Sequence, residues 1–470
     1  MTIHVRRQIW VLLAVQAVLP FSFEIIFPFV NQFLLEIGVV DNPADVGFYS
    51  GFVESAFAVT QLLTVFPATW AADHYGRKPV LVLSTLGVAV SMATFGLSTR
   101  YWMLIASRLI AGGLGGSGTA LRVMVSEVSD KNTEVKHFTW VTMAYRTGQI
   151  IGQPIGGILS HPERQWPSIF GARFWYTYPY ALPCFVAAGY ALICAVLAQL
   201  VLKETMASSR GTVDTKHSPP GEHDPLLQEN SSAAAKKTKS PSALSVLSLP
   251  LASLLFSNAT MVLLTEIFFA TYPLICATPI ELGGLGLSEV QIGIHMSIRS
   301  LLHIFIMLPY RPLQSKLGTM AMYRLSLVAW LPTILIFPFL HILARQGLED
   351  GVVWYATLLV LFTIWAATGW SWASIFVLSS AYSPNPESVA TVQALLSASV
   401  IAPQTLAPAL GTSTFAFAIQ HKNLFNGNLF WVGTFLLASA AVLHCFTLHE
   451  SKHDWRAQRG DSADNPTETA

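Results

Sequence analysis

The chain has 470 residues, of which 53% are hydrophobic and only 11% charged, with a mean hydropathy of +0.51. A soluble domain carries about 25% charged residues, so these proportions exclude an ordinary soluble protein and point to a chain immersed in lipid. The formal net charge of +1 offers no positive field for nucleic acid, which is not expected as a partner.

Runs of roughly 20 apolar residues, enough to cross a bilayer core as helix, occur about twelve times: 8–34, 46–72, 79–98, 101–124, 137–160, 175–202, 246–276, 288–310, 319–342, 352–380, 388–416 and 428–448. Backbone groups in lipid must be satisfied internally, and these runs lack the ten-residue alternation of a barrel, so an all-α membrane protein of twelve transmembrane helices is expected. The first run continues past Phe29, too long for a signal-peptide h-region, and has no small-residue cleavage site.

With both termini cytoplasmic, the inner segments hold nineteen Lys and Arg and the outer segments five. Without the five in the long central segment the ratio is still fourteen to five, so the positive-inside rule sets this orientation. Arg108, Arg146 and Arg299 fall inside spans.

Between spans 2 and 3 lies "ADHYGRKP", with Asp73, Gly76, Arg77 and Lys78. Glycine permits the tight turn and the bases hold it inside. Asp73 is the residue that the charge rule does not require. It either pairs with a cation or a helix N-terminus in one conformational state, as a latch, or stands as a solvated loop charge.

This stretch resembles the loop 2-3 signature of the major facilitator superfamily, G-x-L-A-D-R-x-G-R-K, with Thr69 in place of its first glycine and His74 where Arg is frequent. With "GFYSGFVESAFAVTQLLTVFPATW" and "YPYALPCF", it is similar to fungal members related to zinc-induced facilitator-like and tetracycline-resistance-type proteins. The resemblance implies two pseudo-symmetric six-helix bundles, a central cavity and alternating access. In span 4, Arg108 and Gly112 resemble the R-x-x-x-G element of proton-coupled members. In span 5, "GQIIGQPIGG" is similar to the antiporter-type G-x-x-x-G-P-x-x-G-G. There Gly148, Gly152 and Gly156 share one helix face for close packing, but Gln153 holds the usual proline position and Pro154 follows it. That departure leaves the antiport direction open. The loop 8-9 equivalent, "YRPLQSKLGT", keeps Arg311, Lys316 and Gly318 without an acid matching Asp73, so any latch is one-sided.

Residues 206–245, rich in Ser, Pro, Lys and acids, read as a disordered cytoplasmic linker. It separates an N-terminal bundle (1–205) from a C-terminal bundle (246–450), followed by a tail (451–470). "LKET" at Leu202 and "LHES" at Leu448 close the two halves as a faint internal repeat. In the linker, "EHDPLL" matches an acidic dileucine pattern, a tilt toward a vacuolar or endosomal membrane against the plasma membrane. "NAT" at Asn258 and "NSS" at Asn230 would escape glycosylation in this topology.

Embedded acids are Glu24, Glu54 and Glu266, beside Arg108, Arg146 and Arg299. Each ionised side chain at the bilayer centre costs roughly 2.5 to 3.5 kcal/mol, so the six together must pair or face water. By counting, Glu24, Arg146, Glu266 and Arg299 fall near mid-span and are expected to line or flank the cavity, whereas Glu54 and Arg108 fall in the outer third. They occupy spans 1, 2, 4, 5, 7 and 8 and avoid spans 3, 6 and 12, which agrees with the peripheral place of those spans in facilitator-type folds. Glu24 and Glu266 are the first candidates as proton carriers, because burial favours a neutral carboxyl and an approaching cation favours the charged form. Glu54 is a third, with a structural pair to Arg108 as the competing reading.

His295 and His303 flank Arg299 at spacings of four on span 8 and either bind a metal or proton or pack by hydrogen bonding. Trp365, Trp370 and Trp372 either wall the cavity or mark the membrane interface. Cys184, Cys194, Cys276 and Cys445 stand singly in apolar runs, as small buried hydrophobes. "GGLGGSG" contains G-x-G-x-x-G inside an apolar helix rather than after a strand, which excludes a dinucleotide reading, and no G-x-x-x-x-G-K-[ST] suggests ATP.

The function expected is secondary-active, proton-coupled export of a small organic compound, by an antiporter acting as a monomer in the lipid bilayer. No catalytic, metal or cofactor site is expected, and the proton gradient is the energy source. A zinc or other cation transporter, or a non-transporting membrane sensor of the same fold, stays open as an alternative.

Overall fold

The computed structural model describes residues 3–115, 118–129, 133–205, 246–348, 351–382 and 388–449. The 206–245 linker with its dileucine pattern, the tail from 450 and Lys131 lie outside the described residues. The described chain is helical throughout, with no strand.

In the N-terminal half the elements are α1 (Ile3–Glu24), α2 (Val30–Glu36), α3 (Val46–Tyr75), α4 (Arg77–Gly96), α5 (Tyr101–Leu114), α6 (Gly118–Val128), α7 (Glu134–Leu159), the short α8 (Pro162–Gln165), α9 (Pro167–Phe170) and α10 (Arg173–Thr177), and α11 (Ala181–Val201). The C-terminal half has α12 (Leu249–Ala277), α13 (Glu289–Met307), α14 (Tyr310–Leu317), α15 (Thr319–Val328), α16 (Trp330–Arg345), α17 (Val352–Thr368), α18 (Trp370–Ala381), α19 (Val389–Gln420) and α20 (Leu429–Thr447). Grouping α1 with α2, α5 with α6, α13 with α14, α15 with α16 and α17 with α18 gives six membrane passages in each half. Among the described residues eight helical stretches are long and apolar enough to cross a membrane on composition alone, and α3, bent by 46° between Val65 and Pro67, makes a ninth.

Passages 1, 4 and 5 do not meet that simple criterion; each carries an embedded charge, and the first and fourth also break. The first is interrupted after Glu24, between Pro20 and Pro28, where the missing amides of two prolines weaken the helical ladder. Glu24 therefore stands at a helix break rather than within a continuous span. The fourth, expected as one run over 101–124, breaks at Gly115.

Exposed leucines, valines and phenylalanines on α4 (Leu83, Val90), α11 (Leu200), α16 (Leu335, Phe339) and α20 (Leu436, Leu443) give passages 3, 6, 9 and 12 an apolar outer face for lipid. The halves repeat one another at their short turns: Gly76 (φ 107°, ψ 155°) before α4 and Gly318 (φ 85°, ψ 158°) before α15 hold the same backbone conformation, open to glycine and strained for other residues. At Gly76 there is a second constraint. Glu204 accepts from the Arg77 and Lys78 amides at 3.0 and 3.1 Å, capping the α4 N-terminus where a carboxylate is favoured, and a Cβ on Gly76 would lie 2.5 Å from Glu204 Oε2.

Candidate functional site

The interface between the halves is built from α1, α3 and α7 on one side and α12, α13 and α19 on the other. Gly148, Gly152 and Gly156 all turn toward α1: a Cβ at each would lie 2.5 Å from Ala17 O, 2.7 Å from Phe21 O and 1.9 Å from Ile25 O. The stripe thus lets the α7 backbone lie directly on α1. This close approach brings the next stripe of α7, Arg146, Gln149 and Gln153, to the break that exposes Glu24.

Glu24 is 1% exposed and is held by amides rather than by a cation. Gln149 Nε2 donates to Oε1 at 2.5 Å and Gln153 Nε2 donates to Oε2 at 2.8 Å. Arg146 Nη1 donates to Gln149 Oε1 at 2.9 Å, so it reaches the acid through the amide. Ser300 Oγ of α13 donates to Gln153 Oε1 at 3.2 Å, and Ser297 Oγ donates to Ile150 O at 2.9 Å, tying this network to the other half.

The second acid repeats the arrangement. Gln404 Nε2 of α19 donates to Glu266 Oε1 of α12 at 3.0 Å. Passages 7 and 11 are the counterparts of passages 1 and 5, so both halves place an acid against a glutamine from the fifth helix of the bundle. Arg299 lies between them. Its guanidinium carbon is 5.1 Å from the Phe269 ring centre and 4.7 Å from that of Trp365, cation–π distances that hold the charge without a carboxylate partner. Its field reaches both Glu24 and Glu266.

Among the described residues Glu54 and Arg108 do not form the structural pair that stands as the competing reading for Glu54. Glu54 is buried, takes no hydrogen bond among the described residues and feels the charges of Glu266, Glu24 and Arg108. Arg108 forms no ion pair with it among the described residues; it lies 4.4 Å over the Phe95 ring, with Nη2 3.2 Å from Met92 Sδ. Gly112, four residues on, lets Phe57 and Thr60 of α3 come close: a Cβ there would lie 2.2 Å from Phe57 O. The span 4 element is thus a packing joint between α5 and α3.

A cavity of about 320 Å³ opens between the halves, lined in part by Gln16, Gln61, Arg122, Tyr145, Gln404 and Thr405. Its wall is mostly apolar and amide, and the embedded charges stand behind it, with Gln404 joining wall to acid. It lies toward the end that carries both described termini. At the far end the halves meet closely. A Cβ on Gly47 would be 2.4 Å from Thr412 O, on Gly51 2.6 Å from Pro408 O, and on Gly157 2.2 Å from Glu289 O, while Gln420 donates to Asp45. The described state is closed at the far end.

Other candidates divide. His295 is buried beside the Tyr272 hydroxyl at 3.3 Å, and the His303 ring fills the space a side chain on Gly369 would need. Among the described residues no group of three His, Cys, Asp or Glu could hold a metal. Trp365 belongs to the Arg299 box, whereas Trp370 Nε1 donates to Ile306 O at 2.8 Å. The four cysteines are buried and free. Asp73 is exposed, without ion pair or hydrogen bond among the described residues; Arg77 instead pairs with Glu127 and Lys78 gives its amide to Glu204. Sequence reasoning missed Gln149, Gln153 and Gln404. The signal available was the polar spacing 146, 149, 153 on one face of an otherwise apolar helix.

The family profile described as Major Facilitator Superfamily matches residues 12–283. The chain is 30% identical over 415 residues to the efflux pump azaK of Aspergillus niger, covering 88% of this chain and 82% of that protein. It is 27% identical over 353 residues to the protein Zinc Induced Facilitator 1 of Arabidopsis thaliana, covering 73% and 72%. Among solved structures it is similar to a bacterial homologue of the human lysosomal transporter Spinster, with a TM-score of 0.66 at 13% identity over 100% of both chains. These proteins are transporters rather than enzymes, and the chain belongs to the major facilitator superfamily, as a membrane transporter of the kind that includes the fungal efflux pumps and the zinc-induced facilitators.

Proposed function

We propose that the protein exports a small organic compound by alternating access, in exchange for protons carried on Glu24 and Glu266. The observation that carries this reading is that each acid, Glu24 buried and Glu266 half-buried, lies between helices and is held by glutamine amides, not locked to a cation. An amide can hold either protonation state by turning its donor or its acceptor toward the carboxyl, whereas a fixed ion pair opposes protonation. Arg299, between the acids and in the other half from Glu24, makes the attraction across the interface depend on whether Glu24 carries its proton.

In this reading the termini and the 206–245 segment face the cytoplasm, residues 1–205 and 246–450 rock as two bundles, and the far end faces the exterior or the lumen of a vacuolar or endosomal compartment. The solute enters the amide-lined cavity from the cytoplasm, and protons return as the carrier resets. One chain suffices, the proton gradient supplies the energy, and no cofactor takes part. The Aspergillus relative named an efflux pump supports export. The zinc reading has support in the plant relative's name and none from donor geometry among the described residues.

Reconstitution in liposomes with an internal pH dye tests the proposal. Candidate solutes should drive proton movement with the intact protein, and Glu24→Gln or Glu266→Gln should abolish it. Proton movement unchanged by both substitutions would remove these acids from the mechanism.

A further inference from the structure

Far from the central acids, a second set of ionisable groups meets where the halves are closed. His161 follows α7 with a left-handed backbone, φ 53° and ψ 54°, a conformation that costs a non-glycine residue energy and persists only where the surroundings impose it. It turns the imidazole inward, to 6% exposure. Nδ1 lies 3.0 Å from Glu163 Oε1, and Nε2 lies 3.2 Å from Glu36 Oε1 and 3.0 Å from the Tyr180 hydroxyl. Glu289 Oε1, from the first residue of α13 in the other half, is 4.0 Å from Nε2. Arg164 flanks the group, 3.8 Å from Glu36 and 3.6 Å from Glu163. Glu163 is itself 5% exposed and its Oε2 has no hydrogen-bond partner.

A neutral imidazole donates through one nitrogen only, and the cation through both. With a carboxylate facing each nitrogen, only the cation satisfies both contacts. Burial alone would lower the His161 pKa, but the hydrogen bonds to Glu36 and Glu163 and the charge of Glu36 outweigh both burial and the opposing Arg164, and its pKa is raised above 6.5. Burial would likewise raise Glu36, yet the His161 hydrogen bond and charge, helped by Gln32 and Tyr180, hold it below the usual carboxylate value.

We propose that His161, Glu36, Glu163 and Glu289 form a second proton-binding site, and that proton uptake there fastens the two halves together at the far end. The cation draws Glu289 toward the N-terminal half; its loss leaves three carboxylates facing one another across the closest backbone contact, Gly157 on Glu289. Glu36 and Glu163 belong to the same half as His161, so the part of the proton affinity that depends on closure is the contact with Glu289 at 4.0 Å across the interface. Proton binding favoured by that contact stabilises the closed state at low pH, and the stabilisation is lost as pH rises and the imidazole is deprotonated. Acid on the far side therefore closes that side, and alkali releases it. The inference rests on alternating access but not on the solute or on the central acids.

Spin labels on Asp41→Cys and Asn423→Cys, both exposed at the far end in opposite halves, report closure by pulsed distance measurement in nanodiscs, and the four native cysteines are buried. Between about pH 5 and about pH 9 the short-distance population should fall. Each unit of pKa difference between the two states should change the closed-to-open ratio ~10-fold. His161→Gln should flatten this response, and Glu289→Gln should reduce it. An unaltered response in His161→Gln overturns the proposal. If His161→Gln does not fold, Glu289→Gln decides, a full response there being fatal. Failure of proton-coupled export in liposomes leaves this measurement interpretable, because it needs neither solute nor gradient.

Discussion

Gln153 Nε2 donates to Glu24 Oε2 at 2.8 Å, while its Oε1 accepts from Ser300 of the opposite half. The residue at the expected proline position of a packing motif is therefore the joint between a buried acid and the interface of the two halves. Pro154, displaced by one position, leaves the site of the amide free within the continuous α7 helix.

Replacing this amide should affect both stability and transport. Gln153→Ala leaves one oxygen of a buried carboxylate without its donor, which costs about 1–3 kcal/mol. We expect a lower unfolding temperature in detergent and a loss of transport. Combined with Ser300→Ala, the penalties should be less than additive because both changes break one network; strict additivity in a thermal-shift cycle would contradict the coupling.

The two central acids should separate coupling from binding. Glu266→Gln keeps an amide against Gln404 and removes the titrating group. Solute exchange between equal pH compartments should persist, while accumulation driven by a pH gradient should fall by about 10²-fold or more, the order contributed by a positioned proton-transfer group. Parallel radiolabel exchange and uptake assays check this, and equal losses in both would assign Glu266 a binding role instead.

Neighbouring glycines should give unlike phenotypes. Gly156→Ala places a Cβ 1.9 Å from Ile25 O within one half, so it should lower the yield of folded protein in every state. Gly157→Ala places one 2.2 Å from Glu289 O across the halves. It should leave folding near normal and open the far end, lengthening the distance between spin labels at Asp41→Cys and Asn423→Cys.

The loop between passages 2 and 3 should divide in the same way. Glu204→Ala removes the cap of α4 and should destabilise by about 0.5–2 kcal/mol. Asp73→Asn touches nothing in the far-closed state, so stability should change by no more than about 0.5 kcal/mol. If Asp73 latches in another state, turnover should still fall. Unchanged turnover would make it a solvated loop charge.

The sequence by itself determined that this chain crosses the membrane twelve times in two related halves, because lipid forces every span to be a helix and leaves hydropathy as a direct readout. It also marked Glu24 and Glu266, since charge in such spans is costly enough to demand a reason, and the Gly148, Gly152 and Gly156 stripe, since a spacing of four defines a helix face. Tertiary structure alone decided the partners. Neutral glutamines bear no charge signature, so nothing in the chain order announced that Gln149 and Gln153 meet Glu24 or that Gln404 meets Glu266 from 138 residues away. Glu54 and Arg108 stood as a candidate pair, yet among the described residues Arg108 turns to Phe95 and Met92 instead of forming an ion pair. The gathering of Glu36, His161, Glu163 and Glu289 came from three separate stretches of chain, Glu289 joining the others because α7 and the start of α13 pack backbone to backbone.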